Sequence, residues 1–330
     1  MSNILVIGGA GYIGSHVVLE LLQEDYQVTV YDNLSSGRQI NLFSEAEFVH
    51  GDIQDKPALK KLFGERAFDG VIHLASLKAA GESMKKPNEY SHQNISGSLN
   101  VLEAVTEAKV KNFVFSSTAA VYGIPEYLPL DEDHPVSPIN YYGFTKLQVE
   151  QHLQWYHQLK GLKFVSLRYF NAAGYDPAGR VKGLEQSPAN LIPVIMEFLC
   201  GMRNQFNVFG TDYPTTDGTC IRDYIHVSDL ASAHLKAIHY LENGNQELIA
   251  NLGTGKGYSV LDVINMAEEV TGKKLNYTVA PRRKGDPIEL YSTMQRAGNV
   301  LEWKPDHSDL KTIVESTWNI YNNRLSNSSG

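Results

Sequence analysis

The stretch Ile4-Leu5-Val6-Ile7-Gly8-Gly9-Ala10-Gly11-Tyr12-Ile13-Gly14 decides how this chain reads. A short, β-branched apolar run enters a glycine turn, and a helical period follows at Ile13, Val17, Leu21 and Leu22. Two glycine registers overlap, Gly9-x-Gly11-x-x-Gly14 and Gly8-x-x-Gly11-x-x-Gly14. A chain with this many glycines produces a three-glycine pattern by chance about 0.2 times, so the position carries the weight. Between a first strand and a first helix, glycines permit a tight turn. The helix N-terminus then offers unpaired N–H groups to a pyrophosphate.

Outward from this stretch the same alternation continues. Apolar runs stand at Val28–Tyr31, Phe48–Val49, Val71–Leu74, Phe113–Ser116 and Phe164–Leu167. Segments of helical period separate them, such as Leu59, Leu62 and Phe63, then Leu99, Leu102 and Val105, then Leu147, Val149, Leu153 and Tyr156. Continuous apolar strands alternating with amphipathic helices indicate an α/β protein with a parallel sheet covered on both faces. After about residue 170, Gly and Pro become frequent and loops lengthen, which marks a second, smaller domain. The Ser228–Leu241 helix and the Leu248–Leu252 strand read as returning to the first layer, so the boundary is discontinuous.

Composition narrows the function classes. The chain has 330 residues, 42% hydrophobic and 20% charged, with a formal net charge of −8. That is ordinary globular usage, and no basic domain exists to neutralise a nucleic-acid backbone. No stretch approaches the ~20 apolar residues that span a bilayer. The first apolar run is too short for a signal peptide and lacks a basic flank. Cys200 and Cys220 stand outside any Cys/His cluster, so no metal site is expected. Two isolated cysteines fit a reduced, cytoplasmic setting. The Ser/Asn-rich end, Ser326 to Gly330, reads as a frayed tail.

Two ends of a reaction can then be placed. Asp32 closes the second strand, 18 residues after Gly14. A carboxylate there accepts both ribose hydroxyls of an adenosine and repels a 2′-phosphate, which favours NAD over NADP, with Arg38 nearby as a qualification. Asn33 follows it. Asp52, after the third strand, is placed to meet the adenine. At the other end, strand Phe113–Phe115 runs into Ser116-Ser117-Thr118, and Tyr142-x-x-x-Lys146 opens a later helix. Tyr156-x-x-x-Lys160 has the same spacing. Ligands of open α/β sheets bind at the carboxyl edge, where such a helix starts. Tyr156 lies about 21 Å farther down the helix at ~1.5 Å per residue, so Tyr142 is the candidate. Spacing i, i+4 puts Tyr142 and Lys146 on one face. A phenol near pKa 10 must fall by about three units, roughly 4 kcal/mol, to act as a base at neutral pH. The adjacent ammonium is expected to supply much of that. Thr118 or Ser117 can bond the same substrate oxygen, which makes a device for deprotonating a secondary alcohol as hydride leaves its carbon.

These residues resemble the extended short-chain dehydrogenase/reductase superfamily. The second half narrows the resemblance. Tyr169-Phe170-Asn171, Val208-Phe209-Gly210-Thr211-Asp212-Tyr213-Pro214-Thr215, Arg222-Asp223-Tyr224-Ile225-His226-Val227, Asn251-Leu252-Gly253-Thr254-Gly255 and Ala280-Pro281-Arg282-Arg283-Lys284-Gly285-Asp286-Pro287 are similar to the UDP-glucose 4-epimerase family. The resemblance implies a Rossmann-type doubly wound sheet over residues 1–170, rejoined by about 224–252. It implies a smaller C-terminal α/β domain over 171–223 and 253–330 that binds the UDP-sugar. The implied activity is the interconversion of UDP-galactose and UDP-glucose, with tightly held NAD. In that reaction Tyr142 takes the O4 proton, hydride leaves C4, the 4-keto sugar turns over, and both return.

By the same resemblance, Gly8, Gly11, Tyr12, Ile13, Gly14, Asp32, Asn33, Asp52, Ile53, Leu74, Lys78, Asn94, Ser116, Tyr142, Lys146 and Phe170 would contact NAD. Thr118, Asn171, Asn190, Leu191, Phe209, Arg222, Tyr224, Arg283, Asp286 and Leu290 would hold the sugar nucleotide. The chemistry agrees for several. Guanidinium groups at Arg222 and Arg283 meet phosphate bidentately, Phe209 offers a face to uracil, and Asp286 suits ribose hydroxyls. Leu74 stands where many members carry Phe. Leu290 occupies the sugar-pocket gate, intermediate between the bulky Tyr of hexose-restricted members and the smaller residue of those accepting N-acetyl sugars. A homodimer through the Asn88–Lys109 and Asn140–Leu159 helices is expected. A 4,6-dehydratase would need an acid and a base beside Thr118, where this chain has Ala119 and Ala120. A catalytically dead NAD-binding protein would tend to lose Tyr142 or Lys146. A dehydrogenase exchanging its cofactor shares the chemistry at C4.

Overall fold

A computed structural model describes residues 2–283 and 285–328. In chain order the first half contains β1 (Asn3–Ile7), α1 (Tyr12–Gln23), β2 (Gln27–Asp32), β3 (Glu47–His50), α2 (Lys56–Glu65), β4 (Gly70–His73), two single turns α3 (Ala80–Ser83) and α4 (Pro87–Tyr90), α5 (Gly97–Glu107), β5 (Asn112–Thr118), α6 (Tyr141–Lys160) and β6 (Lys163–Tyr169). A wide-turned helical segment, Ser91–Ser96, joins α4 to α5. The helix expected over Asn88–Lys109 is therefore a composite. The second half adds β7 (Asn171–Ala173), α7 (Leu191–Leu199), β8 (Asn207–Phe209), β9 (Ile221–Arg222), β10 (Tyr224–His226), α8 (Val227–Glu242), β11 (Glu247–Leu252), β12 (Tyr258–Ser259), α9 (Val260–Thr271), β13 (Thr278–Ala280), β14 (Glu289–Leu290), α10 (Gln295–Leu301) and α11 (Leu310–Ser328). The end read as a frayed tail is helical through Ser328, and Ser329 and Gly330 lie outside the described residues.

Seven strands form one parallel sheet in the order β11-β6-β5-β4-β1-β2-β3. From β1 the chain winds outward to β2 and β3, then crosses to β4 on the other side. The crevice at that reversal, outside the strand carboxyl ends, is where open α/β sheets bind ligands. Ile4 and Val6 point into one apolar layer with Val17, Leu21 and Ile238. Leu5 and Ile7 point into the opposite layer with Leu102, Phe113 and Leu153. Burial on both faces is why these strands are continuously apolar. α8 packs on α1, and β11 pairs with β6 at the sheet edge. A third core, around Ile192, Ile195, Val263, Ile313 and Val314, lies among α7, α9 and α11.

Two local features set the glycine turn. Gly8 has φ +87°, a left-handed conformation that strains any residue with a Cβ. A Cβ on Gly14 would lie 2.1 Å from the Gly8 carbonyl oxygen. The turn is closed by the Gly11 N–H, which donates to that same oxygen at 3.2 Å.

Four buried histidines brace the layers in neutral form. His16 donates from Nδ1 to the Tyr12 carbonyl at 2.8 Å and accepts the Asp176 N–H at Nε2, 3.0 Å away. Burial lowers His16 and His234 to about 4, and His73 and His226 to about 3. Their folded-state values lie below the unfolded 6.5, so the stability they allow is full above about pH 6.5 and is lost as pH falls toward 4. Denaturant unfolding between pH 7.5 and 4.5 should therefore show stability falling with acidification, with a slope of up to about three protons per molecule once the raised Asp223 carboxyl is set against the four rings. A flat profile across that window would show that these rings are not held neutral.

Candidate active site

Two cavities meet at the carboxyl edge of the sheet. The larger, about 400 Å³, is lined by the glycine turn and by residues from the ends of β2, β4 and β5. Of the residues expected to contact NAD, it brings together Gly8, Gly11, Tyr12, Ile13, Gly14, Asp32, Asn33, Ile53, Leu74, Lys78, Ser116 and Tyr142. The smaller, about 190 Å³, brings together Thr118, Phe170, Asn171, Arg222, Asp286 and Leu290. Phe170 thus sits in the smaller cavity rather than with the glycine turn.

Each wall follows from local chemistry. Gly11 caps α1 with no side-chain partner, leaving the first N–H groups of the helix free to face an anion. The Asp32 carboxylate accepts the Ala10 N–H at 3.0 Å and the Leu34 N–H at 2.8 Å, while burial pushes its pKa up. Asn33 donates to the Asp52 carboxylate at 2.8 Å, so those two residues act as one bracket. The Tyr12 hydroxyl is spent on the Gly174 carbonyl at 2.5 Å, which ties α1 to the second half of the chain. Lys78 forms an ion pair with Glu185 across the larger cavity. Asn94 lies behind the wall, where it binds the Leu77 backbone at both ends, 2.8 and 2.9 Å, and donates to Thr145 at 3.0 Å.

Tyr142 and Lys146 lie in the first two turns of α6, which Asn140 caps by accepting the Gly143 N–H at 2.8 Å. Tyr142 is half-buried in the larger cavity's wall, and its phenol interacts with Thr118, which lines the smaller one. Lys146 is 2% exposed. Its Nζ donates to the Ser116 carbonyl at 2.8 Å and lies 4.8 Å from the Phe115 ring centroid. Burial pulls the ammonium down to about 7, opposed by the charge of Glu150. Burial also pushes the Tyr142 phenol up to about 12, opposed by its bond to Thr118. The expectation that the adjacent ammonium supplies much of the lowering is not met in the protein by itself, where burial outweighs it. Desolvation dominates both groups, and the lysine's donor is engaged by a carbonyl.

The second cavity has an anion-seeking wall. Arg222 is 13% exposed, donates to the Ile221 carbonyl at 2.7 Å, and pairs with Asp286 at 3.3 Å. That pairing is made by its buried Nη2, which faces the Asp286 carboxylate and makes no hydrogen bond. Arg283 stacks on the Phe209 ring at 4.1 Å. Asn171 donates to the Asp223 carbonyl at 2.9 Å. Tyr224 is buried in β10, which raises its pKa. Asn190, Leu191, Phe209, Tyr224 and Arg283 line neither cavity. Asn190 is exposed at the start of α7, and Leu191 packs on the third core.

Some residues of this region escaped the sequence reading. Asp223, buried between Arg222 and Tyr224, accepts the Thr254 N–H at 3.0 Å and its hydroxyl at 2.7 Å. Burial pushes its carboxyl up to about 7. Its own N–H donates to the Leu290 carbonyl at 3.0 Å, so it pins the strand that carries Leu290. Its place inside a quoted motif was the available signal. For Glu185 no sequence signal exists.

The free helix N-terminus, the cradle that a Cβ would fill and the bracketed Asp32 fit a dinucleotide. Residues 4–253 match the family described as the NAD dependent epimerase/dehydratase family, and the chain belongs to it. Its relatives make the resemblance specific. The chain is 47% identical over 317 residues to a UDP-glucose 4-epimerase of Halalkalibacterium halodurans, covering 96% of this chain and 94% of that protein. The crystal structure of UDP-glucose 4-epimerase from Brucella ovis in complex with NAD superposes with a TM-score of 0.95 at 40% identity, over 97% of this chain and 98% of that one. The Bifidobacterium longum UDP-glucose 4-epimerase in complex with NAD⁺ and UDP gives 0.92 at 37% identity, over 98% of each chain.

Gly14→Ala should force the turn open against the Gly8 carbonyl. Purified variant should retain at least about tenfold less NAD than wild type, read by cofactor release and absorbance, with its circular dichroism unchanged. Undiminished retention would remove the turn from the cofactor site.

Proposed function

We propose that this chain interconverts UDP-galactose and UDP-glucose by epimerising the hexose at C4, with NAD bound at the glycine turn. One observation carries the reading: Tyr142 lines the larger cavity while Thr118, with which its phenol interacts, lines the smaller one. A single phenol therefore stands where two ligands would meet. The similarity to UDP-glucose 4-epimerases over nearly the whole chain supports the substrate class.

The cofactor residues are those of the larger cavity, together with Asp52, Asn94 and Lys146 behind its wall and Phe170 from the smaller cavity. NAD⁺, when bound, supplies reversible hydride acceptance at C4 and a positive ring beside the phenol. Tyr142 takes the O4 proton and later returns it, while the Thr118 hydroxyl holds that oxygen. Lys146, held by the Ser116 carbonyl, favours the phenolate. Arg222 and Arg283 grip the diphosphate, Asp286 the ribose, and Phe209 the uracil face. Asn171, Asn190, Leu191 and Tyr224 complete the nucleotide-sugar side, and Leu290 bounds the hexose. The 4-keto sugar turns about its link to the diphosphate between the two proton transfers. Ala119 and Ala120 carry no proton for a dehydratase's elimination.

In this reading residues 1–170, rejoined by 224–252, hold the cofactor, and 171–223 with 253–330 hold the UDP-sugar. The pairing of β11 with β6 supports that division. We further propose a homodimer through the Pro87–Glu107 stretch and α6, whose Phe144, Trp155 and Leu159 are exposed. A cytoplasmic setting fits the two free cysteines. Among the described residues no helix is long and apolar enough to cross a membrane.

Purified protein should convert UDP-galactose to UDP-glucose without added cofactor, followed by NMR of the C4 configuration. Activity that needs stoichiometric NAD and accumulates NADH would favour a dehydrogenase instead. Tyr142→Phe should cut turnover by about 10²–10⁴-fold with NAD still bound. Near-normal turnover would refute its role as base. Leu290→Tyr should lower activity on N-acetylated UDP-sugars more than on plain hexoses, and equal losses would discard the gate.

A further inference from the structure

Beneath the reacting residues lies a buried polar cluster that the proposed reaction leaves unused. Glu150 stands on α6 one turn beyond Lys146 and two turns beyond Tyr142, on the same helix face. It is 2% exposed, and an isolated buried carboxylate is costly unless it is bonded on every side. Here it is. The Ser117 hydroxyl donates to Oε1 at 2.5 Å. Arg168 closes a fork on it, Nε to Oε1 at 3.0 Å and Nη2 to Oε2 at 2.6 Å. Ser117 and Arg168 are register partners on β5 and β6. The remaining guanidinium donor goes to the Tyr122 hydroxyl at 3.0 Å, which in turn donates to Asn251 at 2.7 Å. One side chain therefore locks a helix to two strands.

The locked strand segment matters. Ser117 lies between Ser116, whose carbonyl holds the Lys146 Nζ, and Thr118, which interacts with the Tyr142 phenol. A shift of this segment would displace both contacts together. Glu150 also acts on Lys146 through space, since the ammonium has no carboxylate partner of its own among the described residues. The other ionisable groups around Lys146 are Tyr142 on its own helix, His73 of β4, and Tyr169 of β6, which bonds the Ser116 hydroxyl. Each is uncharged near neutral pH, because burial depresses His73 and raises both phenols. Arg168 pairs with the same carboxylate. Among the described residues Glu150 is the negative charge that acts on the lysine.

We propose that Glu150 is a positioning residue for the reacting pair: clamped to β5 and β6 by Ser117 and Arg168, its carboxylate holds the Lys146 ammonium charged and the Ser116–Thr118 segment in place. This rests on the reading of Tyr142 and Lys146 given above. A merely structural role for the cluster would leave the protonation of Lys146 untouched, which separates the two possibilities.

The test titrates Lys146 directly in holoenzyme labelled with ¹⁵N-lysine, its Nζ resonance assigned with Lys146→Arg. In Glu150→Gln, which keeps the Ser117 bond but loses the charge, the Lys146 midpoint should fall by about one pH unit or more. The alkaline limb of turnover should move down with it, with KM for UDP-galactose changed less than twofold. Glu150→Asp should restore most of the midpoint. Ser117→Ala, which removes a bond and no charge, should leave the midpoint in place and lower turnover only. If Glu150→Gln does not fold, Glu150→Gln/Arg168→Met removes both charges and leaves no lone buried ion, and a downward shift smaller than that of the single variant is expected. A midpoint equal to wild type in whichever variant folds overturns the proposal. Because the titration needs no turnover, a wild-type protein inactive on UDP-galactose would sink the proposed function and leave this result readable.

Discussion

A lysine ammonium taken almost wholly out of water is the constraint around which this site is built. Lys146 survives burial because the Ser116 carbonyl accepts from it at 2.8 Å and a carboxylate stands one turn away. Each compensating group comes from a different part of the fold: the carbonyl from the end of a central strand, the carboxylate from two turns inside the helix. The helix and strand must therefore keep one relative position for the lysine to stay charged. That requirement extends outward, through Ser117 and Arg168, to two neighbouring strands of the sheet.

The same burial sets the chemistry of the neighbouring phenol. Desolvation pushes Tyr142 up to about 12, and the ammonium one turn away does not offset it. The glycine turn, the free N–H groups of α1 and the bracketed Asp32 lie across the same cavity.

The second half of the chain contributes differently. It adds few strands to the main sheet and presents side chains to the small cavity. Asp223 illustrates the method: buried, it pins the Thr254 turn with its carboxylate and the Leu290 strand with its backbone N–H. Its flanking residues, Arg222 and Tyr224, are thereby held at fixed positions around the site. Arg222 turns its buried Nη2 to the Asp286 carboxylate, so the two charges hold each other at the cavity wall.

Periodicity and glycine placement alone determined the parallel sheet, its glycine turn, the helix carrying Tyr142 and Lys146, and the return of β11 to the sheet. These are local signals, since a strand buried on both faces must be apolar throughout and a left-handed turn excludes a Cβ. The motifs also named twelve of the residues that line the larger cavity and six of those that line the smaller. Only the tertiary structure decided the rest. Asn94 proved to brace the Leu77 backbone, Phe170 fell in the smaller cavity, and Tyr12 spent its hydroxyl on Gly174. The direction of the pKa shifts at Tyr142 and Lys146 was likewise unreadable beforehand. Spacing along a helix says which side chains are neighbours. It does not say how much water the fold removes from them, nor which carbonyl from a distant strand will take the proton donor, because both depend on contacts between segments far apart in the chain.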